Sequence, residues 1–249
     1  MRLPSADANP ASSRAALRGL KVTWLGHSTF LLRTPGGTRV LIDPWLRENP
    51  SCPEALKKPP KADVILVSHG HADHMGDLVL CARESGAIVV GIFELCDWLG
   101  RKGLQNVSPM NKGGSQQVAG LTITMTDARH SSGFVDGGQM VYMGEPGGFV
   151  IRLEDGRTVY FAGDTALFGD MQLIGQRHTP EIAFLPIGDR FTMDPIDAAK
   201  ACQLLGAKQV VPMHWGTFPM LTGTPAELKR LVEPNGIQVL ELTPGQTAE

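Results

Sequence analysis

The chain has 249 residues, a length that fits one large domain or two small ones. Its formal net charge of -2 excludes a strongly basic surface for nucleic acid, and no apolar run approaches the ~20 residues that span a bilayer. The four cysteines have no CxxC spacing, which favours a reducing cytoplasm over a disulfide framework or a zinc knuckle. These features predict a cytoplasmic protein without a membrane span.

The first residues differ in composition from the rest of the chain. Residues 1–19 are rich in alanine and serine, carry three arginines and lack the apolar segment of a secretory signal. We therefore predict an N-terminal tail at 1–19, followed by a single domain at 20–249.

Short apolar segments bounded by turn signals predict a chain rich in strands. The predicted strands are, in order, 21–26, 29–34, 38–42, 63–67, 87–90, 121–126, 149–153, 158–162, 181–186, 209–213 and 237–242. Predicted helices cover 75–85, 93–101, 195–205 and a last segment that starts at the capping box 224–227. The proline-rich segment 49–61 and the glycine-rich segment 131–148 are predicted to be loops.

The densest group of reactive side chains is the segment Ser68-His69-Gly70-His71-Ala72-Asp73-His74, directly after a predicted strand. Three protonated imidazoles in one turn would repel one another, whereas neutral imidazoles and a carboxylate are good ligands for zinc and its neighbours. His69 and His71 are two residues apart, so in an extended segment they point the same way and can hold one ion. Asp73 and His74 face the other side of the turn.

Three further candidate ligands stand where predicted strands end, and such positions converge in space when the strands are neighbours. The pattern predicts two metal ions about 3.5–4 Å apart, a device common in hydrolytic enzymes. The predicted ligands are His69, His71 and His130 for one ion, Asp73, His74 and His214 for the other, and Asp164 as the bridge between them.

Residues 69–74 match the HxHxDH signature of the metallo-β-lactamase superfamily, and a later His, a Gly-Asp-Thr and a final His follow in that family's order. Segments 26–30, 42–44, 161–165 and 212–218 more narrowly resemble a branch of metal-dependent hydrolases of undefined substrate. That branch is related to the ascorbate-6-phosphate lactonases and to N-acylphosphatidylethanolamine phospholipase D. The resemblance begins near Lys21 and implies an α/β (α+β) fold, a four-layer αββα sandwich of two mixed sheets flanked by helices.

The resemblance implies a hydrolase that uses a metal-activated hydroxide on an ester, lactone or phosphodiester of a small molecule. Zinc is the favoured metal, with manganese or iron as alternatives. Asp73 and His27 are the candidate catalytic residues, and Asp43 is expected to orient a ligand imidazole through its outward N–H. The candidate substrate-binding residues are Tyr142, Arg190, Phe191 and Phe218.

For His27 the sequence leaves three roles open: a hydrogen-bond donor behind the ligands, a substrate-contacting acid or a buried imidazole. Asp189-Arg190 departs from the glycine-rich loop of the branch, so Arg190 is either an anion-binding group or a solvated side chain. His178 is expected at the surface. Cys81, Cys96 and Cys202 fall in predicted helices and are expected to be small core residues rather than metal ligands.

Two other functions remain as alternatives. A non-catalytic metal-binding or sensing protein would carry the same ligands and hydrolyse nothing. A di-iron redox function is less favoured, because redox enzymes of this superfamily carry the motif HxExDH, with Glu where this chain has His71. A nuclease would need an inserted domain and a basic surface. The expected partner is a small molecule, and a homo-oligomer is compatible with the sequence.

Overall fold

The structure is a computed structural model that describes residues 17–249. Residues 1–16 of the predicted tail lie outside this range. Leu17 is fully buried. Arg157 donates hydrogen bonds to the carbonyl oxygens of Leu17 and Arg18, at 2.7 and 2.8 Å. The last residues of the predicted tail therefore pack against the domain.

The described chain contains sixteen strands and six α-helices. The first eight strands are β1 (Lys21–Trp24), β2 (Phe30–Arg33), β3 (Arg39–Ile42), β4 (Val64–Leu66), β5 (Ile88–Ile92), β6 (Val107–Met110), β7 (Ser115–Val118) and β8 (Leu121–Asp127). The others are β9 (Gly133–Asp136), β10 (Gln139–Tyr142), β11 (Gly147–Arg152), β12 (Thr158–Phe161), β13 (Ile182–Pro186), β14 (Gln209–Met213), β15 (Gln238–Val239) and β16 (Thr247–Ala248). The helices are α1 (Ala72–Met75), α2 (Leu78–Ser85), α3 (Phe93–Arg101), α4 (Met171–His178), α5 (Pro195–Leu205) and α6 (Pro225–Val232).

Two mixed sheets of seven strands form the body of the domain. The order in the first is β16-β1-β2-β3-β4-β5-β6, and the order in the second is β15-β14-β13-β12-β11-β8-β7. Helix α3 packs on β5 and β6, whereas α5 packs on β13 and α6 on β15. This arrangement confirms the predicted four-layer αββα sandwich.

Strand direction explains why distant residues meet. In the first sheet β1 and β3 are both antiparallel to β2, and β3, β4 and β5 are parallel. In the second sheet β8 and β12 are both antiparallel to β11, and β12, β13 and β14 are parallel. The strands β1, β3, β4, β8, β12 and β14 are followed by His27, Asp43, His69, His130, Asp164 and His214, respectively. The amide of Gly147 donates to the carbonyl of Ser68 (3.0 Å) and joins the two sheets at this edge.

The core lies between the sheets, because apolar side chains from both inner faces meet there. The ring of Phe30, on β2, lies edge-on to Phe184 of β13, with centroids 4.9 Å apart. Phe161 of β12 packs beside both rings. All three side chains are fully buried. Burial of aromatic side chains on this scale is a major source of folding free energy.

Several elements differ from the prediction. The segment 131–148, predicted as a loop, contains the hairpin β9–β10, whose strands pair only with each other within residues 17–249. The predicted helix 75–85 begins only at Leu78 as α2, and Met75 ends the separate short helix α1. Between them, the carboxylate of Asp77 accepts hydrogen bonds from the amides of Leu46 and Arg47. Strands β6 and β7, helix α4 and strand β16 were not predicted. Their short or polar sequences lack a clear apolar period.

Three cysteines are core residues, as the sequence predicts, and the described helices are too short or too polar for a membrane span. Cys81, Cys96 and Cys202 lie in α2, α3 and α5 and are buried, and burial raises the pKa of each thiol to about 12. All four cysteines of the chain are free thiols. Within residues 17–249 each helix is too short or too polar to cross a membrane.

The inter-sheet aromatic contact gives a stability test. We expect Phe184→Ala to lower the free energy of unfolding by about 3–5 kcal/mol, because it leaves a cavity beside Phe30. The matched control is Phe93→Ala, since Phe93 is 57% exposed and its loss should change stability by about 0.5 kcal/mol or less. Urea unfolding followed by circular dichroism measures both. Equal losses in the two variants would contradict this placement of the core.

Candidate metal centre

Within the HxHxDH turn the backbone changes from extended to helical. After β4 the chain continues extended to His71, whose φ and ψ are -81° and 151°. Helix α1 begins at Ala72, and the amide of His74 donates to the carbonyl of His71 (3.0 Å). His69 and His71 therefore project from extended backbone, whereas Asp73 and His74 project from a helical turn.

Three imidazoles form the first cluster, which consists of His69, His71 and His130. His69 Nε2 lies 2.9 Å from His71 Nδ1, and His130 Nε2 lies 3.3 Å from the same atom. One nitrogen from each residue falls within 4.8 Å of the others. His130 arrives from the end of β8 in the second sheet, so this cluster spans both sheets.

The second cluster consists of His27, Asp73, His74 and His214, whose ligand atoms also lie within 4.8 Å of one another. Asp73 Oδ2 is 3.9 Å from His74 Nε2 and 4.0 Å from His214 Nε2. His27 Nε2 is closer, at 3.0 Å from the same oxygen. The structure thus brings His27 into direct contact with the predicted ligand Asp73.

Asp164 lies between the two clusters. Its Oδ2 atom is 3.2 Å from His74 Nε2, 3.0 Å from His214 Nε2 and 3.7 Å from His130 Nε2. The side chain is 2% exposed. One buried carboxylate oxygen therefore faces imidazoles of both clusters.

Three buried polar atoms of this group have no hydrogen-bond partner within residues 17–249: His74 Nε2, Asp164 Oδ1 and His214 Nδ1. The approach of His74 Nε2 to Asp164 is close in distance but is not oriented as a hydrogen bond. A buried polar atom without a partner costs about 1–3 kcal/mol, so such atoms are rare unless something else binds them. Imidazole nitrogens and carboxylate oxygens are the donors that zinc, manganese and iron accept. The residues therefore fit divalent metal ions.

Asp43, at the end of β3, is a fully buried carboxylate that supports the turn. Its Oδ1 accepts the amide of Ser68 (2.7 Å), and its Oδ2 accepts the Ser68 hydroxyl (2.6 Å) and His74 Nδ1–H (2.8 Å). Burial raises the pKa of Asp43, although these hydrogen bonds oppose the rise. Because Nδ1 of His74 is engaged, its Nε2 is left to face Asp164.

Ser68 extends this support to the first cluster, a role that the sequence prediction missed. Its hydroxyl lies 2.9 Å from His69 Nδ1. Since the hydroxyl hydrogen goes to Asp43, the hydrogen of this second contact comes from His69 Nδ1. His69 is thereby held with Nε2 unprotonated, the form that binds a metal. The sequence signal was its place directly before the first histidine.

The ring of His27 is fully buried, and both of its nitrogens are engaged. Nε2 contacts Asp73 at 3.0 Å, and Nδ1 lies 2.9 Å from the hydroxyl of Thr217. Burial, together with repulsion from His214, lowers the pKa of His27 to about 4. His27 therefore has no free nitrogen to offer a substrate. The sequence prediction had not singled out Thr217.

Burial lowers the pKa of His69, His71 and His130, so the first cluster is held as neutral imidazoles. For Asp164 and His74, attraction between opposite charges outweighs the effect of burial on the pKa. Burial opposes both charges, but attraction between the groups lowers the pKa of Asp164 and raises the pKa of His74 well above its ordinary value.

Three residues at this edge adopt left-handed backbone conformations that side chains other than glycine seldom take. Their φ angles are 56° for His27, 46° for Asp43 and 54° for His214. Such conformations cost about 1–3 kcal/mol each and persist where the surrounding structure fixes them, often at functional sites. Each of these residues ends a strand, and the sharp bend aims its side chain across the edge.

The candidate substrate residues lie at different distances from the clusters. Phe218 is at the site, because its ring centroid is 6.0 Å from that of His27 and 6.1 Å from that of Trp45. Tyr142 is 62% exposed on β10. The hairpin that carries it is fastened beside the HxHxDH turn, since the Gly70 amide donates to the Ser132 hydroxyl (3.0 Å).

The loop 188–193 carries Arg190 and Phe191. The Arg190 guanidinium lies 5.5 Å from the centre of the Phe191 ring, and both side chains are exposed. No contact between them and a predicted ligand is found within residues 17–249. Asp189 and Arg190 have φ angles of 66° and 52°, a left-handed conformation that glycine adopts more readily than other residues. At Gly188 a side chain would meet the carbonyl oxygen of His214, 2.0 Å from a Cβ.

Comparison with known proteins agrees with this architecture. The family model described as the beta-lactamase superfamily domain matches residues 38–215. A UPF0173 metal-dependent hydrolase of Koribacter versatilis is 52% identical over 231 residues, which cover 93% of this chain and 98% of that protein. Another from Rubrobacter xylanophilus is 50% identical over 224 residues, 90% of this chain and 93% of the relative.

A solved structure is similar over nearly the same length. Igni18, described as a novel metallo hydrolase from the archaeon Ignicoccus hospitalis, superposes with a TM-score of 0.83 at 38% identity, covering 92% of this chain and 97% of Igni18. The chain belongs to the beta-lactamase superfamily and, within it, to the family of UPF0173 metal-dependent hydrolases.

The buried Asp43 network gives a test of the site. We expect Asp43→Asn to weaken zinc binding by about 10–100-fold, because the amide cannot accept all three hydrogen bonds from Ser68 and His74. Competition with a chelating dye measures the affinity, after circular dichroism has shown that the variant is folded. The control is Asp63→Asn, whose carboxylate pairs with Arg39 away from the clusters. Unchanged affinity in Asp43→Asn would contradict this role.

Proposed function

We propose that the protein is a dinuclear hydrolase that cleaves an ester, lactone or phosphodiester bond in a small molecule. The observation that carries this proposal is the pair of nitrogen-rich clusters joined by the single carboxylate of Asp164. A site with one isolated cluster would fit a structural ion equally well. Two clusters sharing a carboxylate oxygen are typical of hydrolytic centres.

The proposed ligands divide as the contacts do. They are His69, His71 and His130 for one ion, Asp73, His74 and His214 for the other, and Asp164 for both. Such ions supply Lewis acidity, which lowers the pKa of water and stabilises negative charge on oxygen. Zinc is favoured by the histidine-rich donor set, and manganese or iron would also be accepted.

Asp73 is the proposed proton-transfer group. Of the two candidate acidic ligands, Asp73 is 31% exposed and Asp164 is 2% exposed, so Asp73 is the one that substrate and water can reach. Attraction to His74 and the hydrogen bond from His27 lower the pKa of Asp73 despite its burial, which keeps it ionised. As an ionised carboxylate on the exposed side of its cluster, it can accept a hydrogen bond from the attacking water and hold that proton only transiently before passing it to the leaving oxygen.

His27 has a different proposed role from that of a substrate-contacting acid. Both of its ring nitrogens are engaged and its side chain is fully buried. This environment supports the role of a hydrogen-bond donor that stabilises Asp73. Of the three roles that the sequence left open, it is the one with a visible partner.

The proposed substrate wall is apolar. Phe218 and Trp45 lie against each other beside His27, and the hairpin with Tyr142 rises next to the HxHxDH turn. Arg190 and Phe191, on the loop 188–193, stay candidate substrate-binding residues.

The four free thiols support a location in the cytoplasm, which is a reducing compartment.

Two observations favour a hydrolase over the alternatives. The exposed edge of Asp73 gives a reactive group access to solvent, which a purely metal-sensing protein does not need. His71 occupies the position where the di-iron redox relatives carry Glu, and its Nδ1 lies in the first cluster.

Removal of a ligand should abolish metal binding and hydrolysis together. We expect His69→Ala and Asp164→Ala each to lose bound zinc and to lower hydrolysis by about a hundredfold or more, because each leaves a cluster incomplete. Metal analysis and a panel of ester, lactone and phosphodiester substrates, with zinc and with manganese, provide the measurements. His178→Ala is the matched control, since His178 ends α4 outside the clusters. Full hydrolysis by a metal-free variant would refute the proposal.

A further inference from the structure

We infer that Thr217 is a positioning residue that fixes the ring of His27, so that His27 Nε2–H holds the metal-facing oxygen of Asp73. This inference rests on the proposed metal site. Three side chains are connected by two hydrogen bonds. Thr217 Oγ1 lies 2.9 Å from His27 Nδ1, and His27 Nε2 lies 3.0 Å from Asp73 Oδ2.

The chemistry of the two end groups sets the direction of the chain. An ionised carboxylate accepts hydrogen bonds and cannot donate, so the hydrogen of the second contact belongs to His27 Nε2. In a neutral imidazole the other nitrogen is then an acceptor, and the hydroxyl of Thr217 must donate to Nδ1. Thr217 is the partner that satisfies Nδ1 in this tautomer.

The backbone of His27 is held independently of its ring. Its carbonyl accepts hydrogen bonds from Trp24 Nε1 (2.9 Å) and from the amide of His214 (3.1 Å). The ring itself contacts the rings of His214 and Trp45, with centroids 4.0 and 5.2 Å away. Such edge-on and tilted ring contacts do not distinguish the His27 ring from the same ring turned over. The two hydrogen bonds do, and loss of Thr217 leaves a buried acceptor without a partner.

The oxygen that His27 holds is the one that faces the other ligands of the second cluster. Asp73 Oδ2 lies about as far from His74 Nε2 as from His214 Nε2, at 3.9 and 4.0 Å. Asp73 is also more exposed than any of these histidines, so burial fixes it least. The hydrogen bond from the fully buried ring of His27 therefore restricts the movement of the Asp73 side chain.

The same short turn supplies Thr217 and a ligand. Thr217 follows His214 by three residues, and Gly216 between them has a left-handed φ of 68°. The turn therefore sets the distance between His214 and the hydroxyl that fixes His27. Second contacts of this kind behind metal ligands typically change metal affinity by about 10–100-fold.

The test compares Thr217→Val, which replaces the hydroxyl with a methyl group, with Thr217→Ser, which restores it. The first readout is 15N NMR of the histidine rings in the metal-free protein, with the His27 signals assigned from His27→Gln. We expect wild type and Thr217→Ser to show a hydrogen on Nε2 and a hydrogen-bonded, unprotonated Nδ1. In Thr217→Val the Nδ1 signal should shift to that of a nitrogen without a hydrogen bond.

The second readout is zinc titration. Thr217→Val should bind one of the two zinc equivalents roughly tenfold more weakly and the other as wild type does, whereas Thr217→Ser should bind both as wild type. Thr23→Val is the control, because it removes an exposed hydroxyl whose partner, Thr247, belongs to neither cluster. Unchanged His27 signals, or unchanged zinc affinity, in Thr217→Val would overturn the inference. Should the wild type bind no zinc, the proposed function fails, while the NMR comparison still tests the hydrogen-bond chain.

Discussion

One buried carboxylate organises this end of the molecule. Asp43 binds the backbone and the hydroxyl of Ser68 on one side and His74 on the other, and the hydroxyl continues to His69. Through these contacts a single side chain determines which nitrogen of two histidines, one in each cluster, is free to bind an ion. The cost of burying this carboxylate is offset because its two oxygens accept three hydrogen bonds.

The two sheets depend on each other for the same reason. Each cluster combines the turn after β4 of the first sheet with a histidine from the second sheet, His130 in one and His214 in the other. The hydrogen bond from Gly147 to Ser68 fastens the sheets at the point where the clusters meet. A change in the packing angle of the sheets would therefore separate the ligands, which couples the stability of the core to the geometry of the site.

Much of this arrangement follows from the sequence. The HxHxDH segment and the strand ends at His130, Asp164 and His214 carry strong local signals, since apolar strands and polar tips are adjacent in the chain. Thr217 and Ser68 lie in segments that the sequence marks, but their roles could not be predicted, because a hydroxyl acquires its role through a hydrogen-bond partner that folding brings to it. The hairpin in 131–148 escaped prediction because its glycines are typical of loops and its strands are short and only partly buried.

The hairpin β9–β10 is structurally separate from the two large sheets. It forms a sheet of its own, and its Asp136 is tied to α3 through Trp98 Nε1, at 3.0 Å, and Lys102. Its tip at Gly137–Gly138 can therefore gain or lose residues without shifting the register of either large sheet. The proposed substrate wall can therefore change in length while the candidate metal ligands stay in place.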